Sequence, residues 1–369
     1  MTIDFYQLPH EGIRNLVPYK PGKSIAELAR EKGITDIIKM ASNENPLGCS
    51  PLALTALHAM SSHLVATYPS PNNHPLIPKL AAKYQVKTEQ IFVSNGTDHL
   101  FGELLKCFAL HTQRLMLTHD YAFNTYAVQA HSLNIPVLSV AIKPNWHVDI
   151  EALIAACTPE VGILFLANPN NPTGQLIPQE EIKYLLENIP ITTIVVLDEA
   201  YYEFCTFANQ INSIDWLEEH PNLVITRTFS KIYGLAGLRL GYAITNPEIV
   251  AILQRVQLPF TLNQAALTAA HAALDDDAFI IRSLETNRLG KEQLSSGFNK
   301  LGLHYLPSAC NFLTFDCKED GARLYNFMLD KGIIIRPLHA YAMNNYLRVS
   351  ISTKEHNTRF LEALASYYH

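Results

Sequence analysis

Between residues 91 and 229 the chain alternates short apolar runs with helical stretches, and this alternation limits the possible folds more than any other feature. Runs that are apolar at nearly every position are typical of strands buried on both faces of a sheet. Alternation of such strands with helices predicts an α/β fold, with a mostly parallel sheet between two layers of helices. The six runs are IFVSNG, RLMLTH, IPVLSVAI, VGILFLANP, TTIVVLDEA and NLVITRTF.

The pattern changes near residue 275. A long helix predicted over 277–300 is followed by the strands FLTFDC, GIIIRPL and YLRVSIST, with helices between them. We therefore expect a large domain over 41–275 and a smaller C-terminal α+β domain over 276–369. Residues 1–40 precede both as an extended, proline-containing arm and one helix, in which Ser24 and Glu27 have the spacing of a capping box.

Composition excludes several classes of protein. The 369 residues are 48% hydrophobic and 17% charged, which is the balance of a globular chain. A net charge of −6 argues against a nucleic-acid-binding protein, although a local pocket can still be positive. We recognise no signal peptide and no apolar run of the roughly 18 residues that span a membrane. Six cysteines without a CxxC pair predict reduced thiols in the cytoplasm, and the 15 histidines lack metal-binding spacing.

Four polar clusters follow predicted strands at the points where those strands end. They are NGTD at 95–98, NPNNPTG at 168–174, DEAYYEF at 198–204 and SK at 230–231. Ligands of open parallel sheets bind beyond the carboxyl ends of the strands, so all four clusters occupy the edge where a ligand is expected. Taken singly, each cluster is also typical of an ordinary turn, a helix cap or a structural ion pair.

The residue types at these strand ends together favour one cofactor, pyridoxal 5'-phosphate. A lysine in small, apolar surroundings, such as Lys231, is costly unless it is paired or takes part in chemistry. This cofactor needs a lysine that bonds to its aldehyde and a carboxylate, here Asp198, that keeps its ring nitrogen protonated. Its phosphate needs backbone amides, a hydroxyl and an arginine, for which Arg239 is the candidate.

Nine blocks spread over nearly the whole chain carry a family resemblance. They are LVPYKPGKSIAELAREKG, ASNENPLG, YPSPNNHPL, SNGTDHLF, NPNNPTG, LDEAYYEF, RTFSKIYGLAGLRLGY, GIIIRPL and LRVSIST. In this order they resemble the fold-type I pyridoxal-phosphate aminotransferases, and within them the histidinol-phosphate aminotransferase family. The resemblance implies a large domain on a mostly parallel seven-stranded sheet flanked by helices, and a smaller α+β domain.

The resemblance also implies cofactor roles for residues that match the family's motifs. Lys231 is bonded to the cofactor, Asp198 pairs with the ring nitrogen, and Tyr201 and Asn171 bond the phenolic oxygen, while Phe123 stacks on the ring. The residues expected at the phosphate are Gly96, Thr97, Ser230 and Arg239, with Asp98 and Thr228 beside them. Lys231, Asp198 and Tyr201 are the catalytic residues on this interpretation.

Two arginines and two tyrosines match substrate and partner positions of the family. Arg348 matches the arginine that binds the glutamate carboxylate, and Arg336, twelve residues earlier, is a candidate clamp for the phosphate of the substrate. Tyr19, in the N-terminal arm, matches a residue that covers the substrate. Tyr68 matches a tyrosine that reaches the cofactor phosphate of the neighbouring subunit, which implies a homodimer with shared active sites.

The activity implied by the resemblance is amino-group transfer between L-histidinol phosphate and 2-oxoglutarate, in histidine biosynthesis. An aromatic amino-acid aminotransferase and a threonine-phosphate decarboxylase stay open as alternatives. A non-catalytic regulator is disfavoured, because such regulators carry a winged-helix domain for which the chain has no room. The block HDYAF at 119–123 departs from the proline–threonine pair of many members, and this departure concerns the substrate pocket and not the cofactor.

Overall fold

The computed structural model describes residues 3–18, 22–70, 74–205 and 212–368. Its strands are β1 (Ile38–Lys39), β2 (Ile91–Ser94), β3 (Leu115–His119), β4 (Val137–Val140), β5 (Val161–Ala167), β6 (Ile194–Asp198), β7 (Leu223–Thr228), β8 (Gly241–Thr245), β9 (Phe312–Asp316), β10 (Ile333–Ile334), β11 (Arg336–Pro337) and β12 (Tyr346–Ser350).

Helices precede, separate and follow these strands. They are α1 (Glu11–Arg14), α2 (Ile25–Lys32), α3 (Pro51–His58), α4 (Ser62–Ala66), α5 (Leu76–Tyr84), α6 (Thr97–Phe108), α7 (Thr125–Ser132), α8 (Ile150–Ala156), α9 (Gln179–Asn188), α10 (Pro247–Val256), α11 (Gln264–Ala273), α12 (Asp277–Lys300), α13 (Gly321–Asp330) and α14 (Lys354–Tyr368). None of the helices in the described ranges is long and apolar enough to cross a membrane.

The large sheet has seven strands in the order β2-β8-β7-β6-β5-β3-β4. Only β8 runs against its neighbours, and all other pairs are parallel. The predicted α/β class and the mostly parallel seven-stranded sheet are thereby confirmed. All six predicted apolar runs form strands, whereas the seventh strand, β8, is the short run GYAIT that the alternating pattern did not reveal.

The strands of the sheet are buried on both faces, as their composition predicts. Leu164 and Leu166 of β5 pack into one apolar core, while Ile163 and Phe165 point to the other side and pack into a second core. Alternate residues of one strand therefore contact different helix layers, because successive side chains of a strand point to opposite faces. This explains why nearly every position of β5 is apolar.

A second unit contains the antiparallel sheet β11-β12-β9 together with α12, α13 and α14. The N-terminal strand β1 joins this unit by pairing in parallel with β10, so that Ile38 lies opposite Ile333. Ile38 and Met40 share an apolar core with Leu313 and Val349. The predicted division at residue 275 falls between α11 and α12, and the three domain ranges stay a proposal.

The first residues contain more helix than the predicted extended arm. A 3-10 turn covers Phe5–Gln7 and α1 covers Glu11–Arg14. The next helix begins as predicted, because the Ser24 side chain accepts a hydrogen bond from the amide of Glu27 and the Glu27 side chain bonds back to Ser24. It ends at Gly33, which has the positive φ of 68° that glycine adopts readily. Tyr19 lies outside the described residues.

Candidate active site

The four predicted polar clusters lie at one edge of the large sheet. Strands β2 and β7 are both antiparallel to β8 and therefore run in the same direction as each other and as β5 and β6. The carboxyl ends of all four strands consequently meet at the same edge. Gly96, Asn171, Asp198 and Lys231 follow or close these strands, so the four clusters share one edge of the sheet, as predicted.

Lys231 lies just beyond the carboxyl end of β7. Its Nζ donates a hydrogen bond of 3.3 Å to the carbonyl oxygen of Ser42 and lies 5.6 Å from the centre of the Tyr201 ring. Burial and the nearby positive charge of Arg348 lower the pKa of Lys231 to about 8. A much larger fraction of this amine than of an ordinary lysine is therefore uncharged near neutral pH, and the uncharged form is the one that acts as a nucleophile or a base.

Asp198 is the last residue of β6 and is buried, with 4% of its surface exposed. One oxygen accepts a hydrogen bond of 2.6 Å from the Tyr126 hydroxyl, and the other accepts 3.2 Å bonds from the Thr226 hydroxyl and the Ala200 amide. Burial raises the pKa of Asp198 to about 6, while the bonds from Tyr126 and Thr226 act in the opposite direction. These donors are all uncharged, so the buried carboxylate suits a cationic group of a ligand.

Tyr201 is held by Asn43, a residue to which sequence reasoning gave no role. The Asn43 side-chain nitrogen donates to the Tyr201 hydroxyl over 2.9 Å, and both residues are buried. Asn43 has a positive φ of 56°, which asparagine tolerates better than most residues. Ser350 and Asn311, from the second unit, hydrogen-bond its backbone and side chain. Asn43 lies in the block ASNENPLG, which matched the family, but nothing in the sequence distinguished this asparagine as a site residue.

The start of α6 forms a cradle of the kind that binds anions. Gly96 precedes the helix with a φ of 78° and gives it no side-chain cap, which leaves the first amides of the helix to other acceptors. A Cβ atom at Gly96 would lie 2.9 Å from Nη2 of Arg239, so the arginine lies directly over this glycine. The same guanidinium is 3.2 Å from Asp98. These contacts bring Gly96, Asp98 and Arg239 together.

The remaining predicted phosphate ligands adjoin this cradle. Gly241 pairs with Thr228 across β7 and β8, and a Cβ atom at Gly241 would lie 2.9 Å from the Thr97 amide nitrogen. The hydroxyl of Thr228 accepts a bond of 3.1 Å from the amide of Ser230. Thr97, Thr228 and Ser230 are therefore neighbours at one end of the site.

Two arginines approach the site from the second unit. Arg336 and Arg348 are direct partners in the β11–β12 ladder. Arg348 is buried, donates to the side-chain oxygen of Asn171, and donates to the Ala41 carbonyl over 2.8 Å. Its Nε is also buried and has no hydrogen-bond partner among the described residues. Such a donor is costly unless a ligand accepts its hydrogen bond.

The predicted aromatic residues have different surroundings. Phe123 is half-buried at the site edge and packs edge-on against Tyr126, with 5.6 Å between ring centres. Tyr68 is 80% exposed and stacks on Phe260 with 4.3 Å between ring centres. The structure therefore brings Phe123 close to Asp198 through Tyr126, whereas Tyr68 contributes to an exposed aromatic pair.

The groups at this edge fit pyridoxal 5'-phosphate. A lysine with a lowered pKa matches the aldehyde, a buried carboxylate with uncharged donors matches the protonated ring nitrogen, and the cradle at Gly96 leaves amides and Arg239 for the phosphate. Fold-type I enzymes that depend on this cofactor combine such groups with such a sheet, and the fold and site place the protein in that class.

The comparisons with known proteins agree with this assignment. A family model described as aminotransferase class I and II matches residues 35–364. Histidinol-phosphate aminotransferase 2 of Legionella pneumophila (strain Lens) is 68% identical over all of both chains, and histidinol-phosphate aminotransferase 1 of Mannheimia succiniciproducens is 40% identical over 98% of each. The crystal structure of histidinol-phosphate aminotransferase from Sinorhizobium meliloti in complex with pyridoxal-5'-phosphate has 27% identity, a TM-score of 0.87 and 98% coverage of both chains.

The chain belongs to the class I and II aminotransferases. It is an enzyme whose cofactor is pyridoxal 5'-phosphate.

Proposed function

We propose that the enzyme moves the amino group between L-histidinol phosphate and 2-oxoglutarate, and so forms glutamate in histidine biosynthesis. The main observation behind this proposal is that Arg336 and Arg348 lie opposite each other on adjacent strands at the site. The buried Nε of Arg348 also has no hydrogen-bond acceptor among the described residues. Two neighbouring guanidinium groups suit substrates that bring a phosphate in one half-reaction and carboxylates in the other. Relatives of this name at 68% and 40% identity support the assignment.

Three residues would carry the proton transfers. When bound, the cofactor supplies an electron-withdrawing ring that makes the hydrogen on the amino-bearing carbon of the substrate acidic. Lys231 would bind the aldehyde of the cofactor and, as a neutral amine, would accept this proton and give it back. Asp198 would keep the ring nitrogen protonated, and Tyr201, oriented by Asn43, would donate to the phenolic oxygen. Positioned acid–base groups of this kind contribute about 10²- to 10⁴-fold.

The other predicted ligands would fix the position of the cofactor and the substrate. Asn171 presents its oxygen to Arg348, which leaves its amide nitrogen as the donor for the phenolic oxygen. Arg348 would bind the carboxylate of glutamate and Arg336 the phosphate of histidinol phosphate. Phe123 would stack on the ring, and the phosphate ligands would be Gly96, Thr97, Asp98, Thr228, Ser230 and Arg239. A covering role for Tyr19 stays a prediction.

We also propose that two copies of the chain form a homodimer in which Tyr68 reaches the partner's site. Tyr68 and Phe260 are exposed, and so are Leu64 and Val65 on the neighbouring helix α4. Exposed apolar side chains grouped in this way are typical of a surface that another protein covers. The cytoplasmic location predicted from the composition stays a prediction.

A comparison of amino donors tests the proposed reaction. With 2-oxoglutarate as acceptor, kcat/KM should be highest for L-histidinol phosphate, lower for phenylalanine, and lowest for phosphothreonine. A higher kcat/KM for phenylalanine would identify an aromatic amino-acid aminotransferase instead. Release of carbon dioxide from phosphothreonine without formation of glutamate would identify a decarboxylase.

A further inference from the structure

Tyr126 lies directly behind the carboxylate proposed to hold the cofactor ring nitrogen. It stands in the first turn of α7, is completely buried, and donates a 2.6 Å hydrogen bond to one oxygen of Asp198. This bond is shorter than the 3.2 Å bond from Thr226 to the other oxygen. Short O–H···O⁻ bonds to a charged acceptor are among the strongest hydrogen bonds in proteins. No sequence motif had drawn attention to Tyr126.

The ring of Tyr126 is fixed on several sides. It stacks on Phe165 with 4.7 Å between ring centres and 15° between planes, and it meets Phe101 edge-on at 5.0 Å. A third ring contact, edge-on with 5.6 Å between ring centres, is with Phe123, the residue expected to stack on the cofactor. A ring packed in this way cannot rotate away from Asp198 without disturbing the aromatic core. The hydroxyl is therefore held at a constant position relative to both Asp198 and Phe123.

We propose that Tyr126 is a positioning residue for the cofactor: its hydroxyl sets the orientation of the Asp198 carboxylate, and its ring supports Phe123. The inference rests on the proposed role of Asp198 at the ring nitrogen. One side chain would thereby couple the group that meets the edge of the cofactor ring to the group that meets its face. Tyr126 touches neither the substrate nor the cofactor in this proposal and acts through the two residues that do.

The electrostatic surroundings explain why Asp198 needs this donor. Burial favours the protonated acid, and the negative charge of Asp98 on α6 acts in the same direction. Tyr126 on α7, Thr226 on β7 and the Ala200 amide oppose it by donating to the carboxylate. The pKa of Asp198, already about 6, should therefore rise toward neutrality when the Tyr126 hydroxyl is removed. A protonated Asp198 no longer balances a protonated ring nitrogen.

The substitution Tyr126→Phe tests the proposal, because it removes the hydroxyl and keeps the ring packing. Tyr84→Phe is the matched control: it removes a hydroxyl that makes an equally short bond of 2.6 Å, with Tyr242. We expect Tyr126→Phe to weaken binding of pyridoxal phosphate to the apoenzyme by roughly 10- to 100-fold, the range for losing a hydrogen bond to a charged group. Equilibrium dialysis of the apoenzyme measures this, and Tyr84→Phe should match the wild type.

A second readout reports on the ring nitrogen itself. In ¹⁵N-labelled pyridoxal phosphate bound to Tyr126→Phe, the ring-nitrogen resonance should move toward the deprotonated position, and the acidic limb of the pH–rate profile should move to higher pH. A purely structural role would lower the melting temperature and leave both signals unchanged, and that result overturns the proposal. Thr226→Val, which removes the donor to the other oxygen, should shift both signals in the same direction by a smaller amount.

Asp198→Asn separates failure of this inference from failure of the proposed function. If Asp198→Asn shifts the ¹⁵N resonance and Tyr126→Phe does not, the role of Tyr126 is wrong and that of Asp198 stands. If neither variant shifts it, Asp198 does not meet the ring nitrogen, and the proposed function of the site fails with it. If Tyr126→Phe does not fold, Tyr126→His, which can still donate to Asp198, decides by the same two signals: values near those of the wild type support the role of the donor, and values like those of Asp198→Asn overturn it.

Discussion

Arg336 and Arg348 lie directly opposite each other on neighbouring antiparallel strands. Two like charges in this position repel each other, and burial together with Arg336 lowers the pKa of Arg348. The hydrogen bonds from Arg348 to Asn171 and Ala41 offset part of this cost but do not neutralise the charge. A bound anion would neutralise it, so the arrangement favours anionic substrates.

Replacing each arginine by glutamine should separate the two substrates. Arg336→Gln should lower kcat/KM for histidinol phosphate more than that for glutamate, and Arg348→Gln should have the reverse preference. A change of roughly 10- to 100-fold is expected for loss of a charged hydrogen bond. Arg359→Gln, which removes an exposed ion pair with Asp36 in the same unit, is the control and should leave both values unchanged. Equal losses for both substrates in both variants would contradict the division of roles.

Lys231→Met should abolish the visible absorbance of the lysine-bound cofactor and reduce turnover by about 10²-fold or more, because it removes both the nucleophile and the base. Lys291→Met is a matched control, since Lys291 is another part-buried lysine with a lowered pKa, whose Nζ donates to the Ser308 carbonyl. The control should keep its absorbance. Spectra and steady-state rates check both variants, and normal transamination by Lys231→Met would refute the assigned role.

Asp198→Asn should still bind the cofactor, although more weakly than the wild type, because the lysine and the phosphate cradle remain. Turnover should fall by about 10²-fold or more, since the amide cannot hold a proton on the ring nitrogen as a carboxylate does. Cofactor content and turnover, measured on the same preparation, test this expectation. A rate near that of the wild type would mean that the ring acts as an electron sink without the carboxylate.

Attachment of the cofactor to the apoenzyme should depend on pH with a midpoint near the Lys231 pKa of about 8, and not near that of an ordinary lysine. Only the uncharged amine reacts, so the rate should rise as the pH increases through this value. Arg348→Gln removes a positive charge that lowers this pKa, and its midpoint should therefore lie at higher pH. Stopped-flow absorbance after mixing with pyridoxal phosphate gives both midpoints. The same midpoint in the wild type and in Arg348→Gln would mean that Arg348 does not lower the pKa of Lys231.

Subunit mixing tests the proposed reach of Tyr68 across a dimer. Lys231→Met lacks the lysine and Tyr68→Ala lacks the tyrosine, so each homodimer should be impaired. In a mixed dimer, the site that keeps Lys231 receives Tyr68 from the other chain and should be complete. Activity above the sum of the separate variants, after unfolding and refolding them together, is the expected result. Sedimentation as a single chain, or no gain on mixing, would contradict shared sites.

The fold and the groups that matched family motifs were predictable because their signals are local. The apolar runs gave the strands, and the polar residues at their ends gave the position of Lys231 and Asp198. β8 was not predicted because only a short 3-10 turn, and no α-helix, lies between β7 and β8, so the alternation of strands and helices is interrupted there.

The roles of Asn43 and Tyr126 were not predicted, for a different reason. Each acts through a partner far away in the sequence, Tyr201 and Asp198 respectively. Nothing in the neighbouring residues distinguishes a buried tyrosine that donates to a catalytic carboxylate from one that only packs. Such roles become visible only when the long-range contacts are known.

The pairing of β1 with β10 has a consequence for synthesis on the ribosome. Ser42 and Asn43, which contact Lys231 and Tyr201, follow a strand whose partner is translated almost three hundred residues later. A nascent chain that has just completed β8 holds all seven strands of the large sheet, yet the segment beside the lysine still lacks its anchor. The active site can therefore be completed only after the C-terminal part of the chain has left the ribosome and β10 has paired with β1.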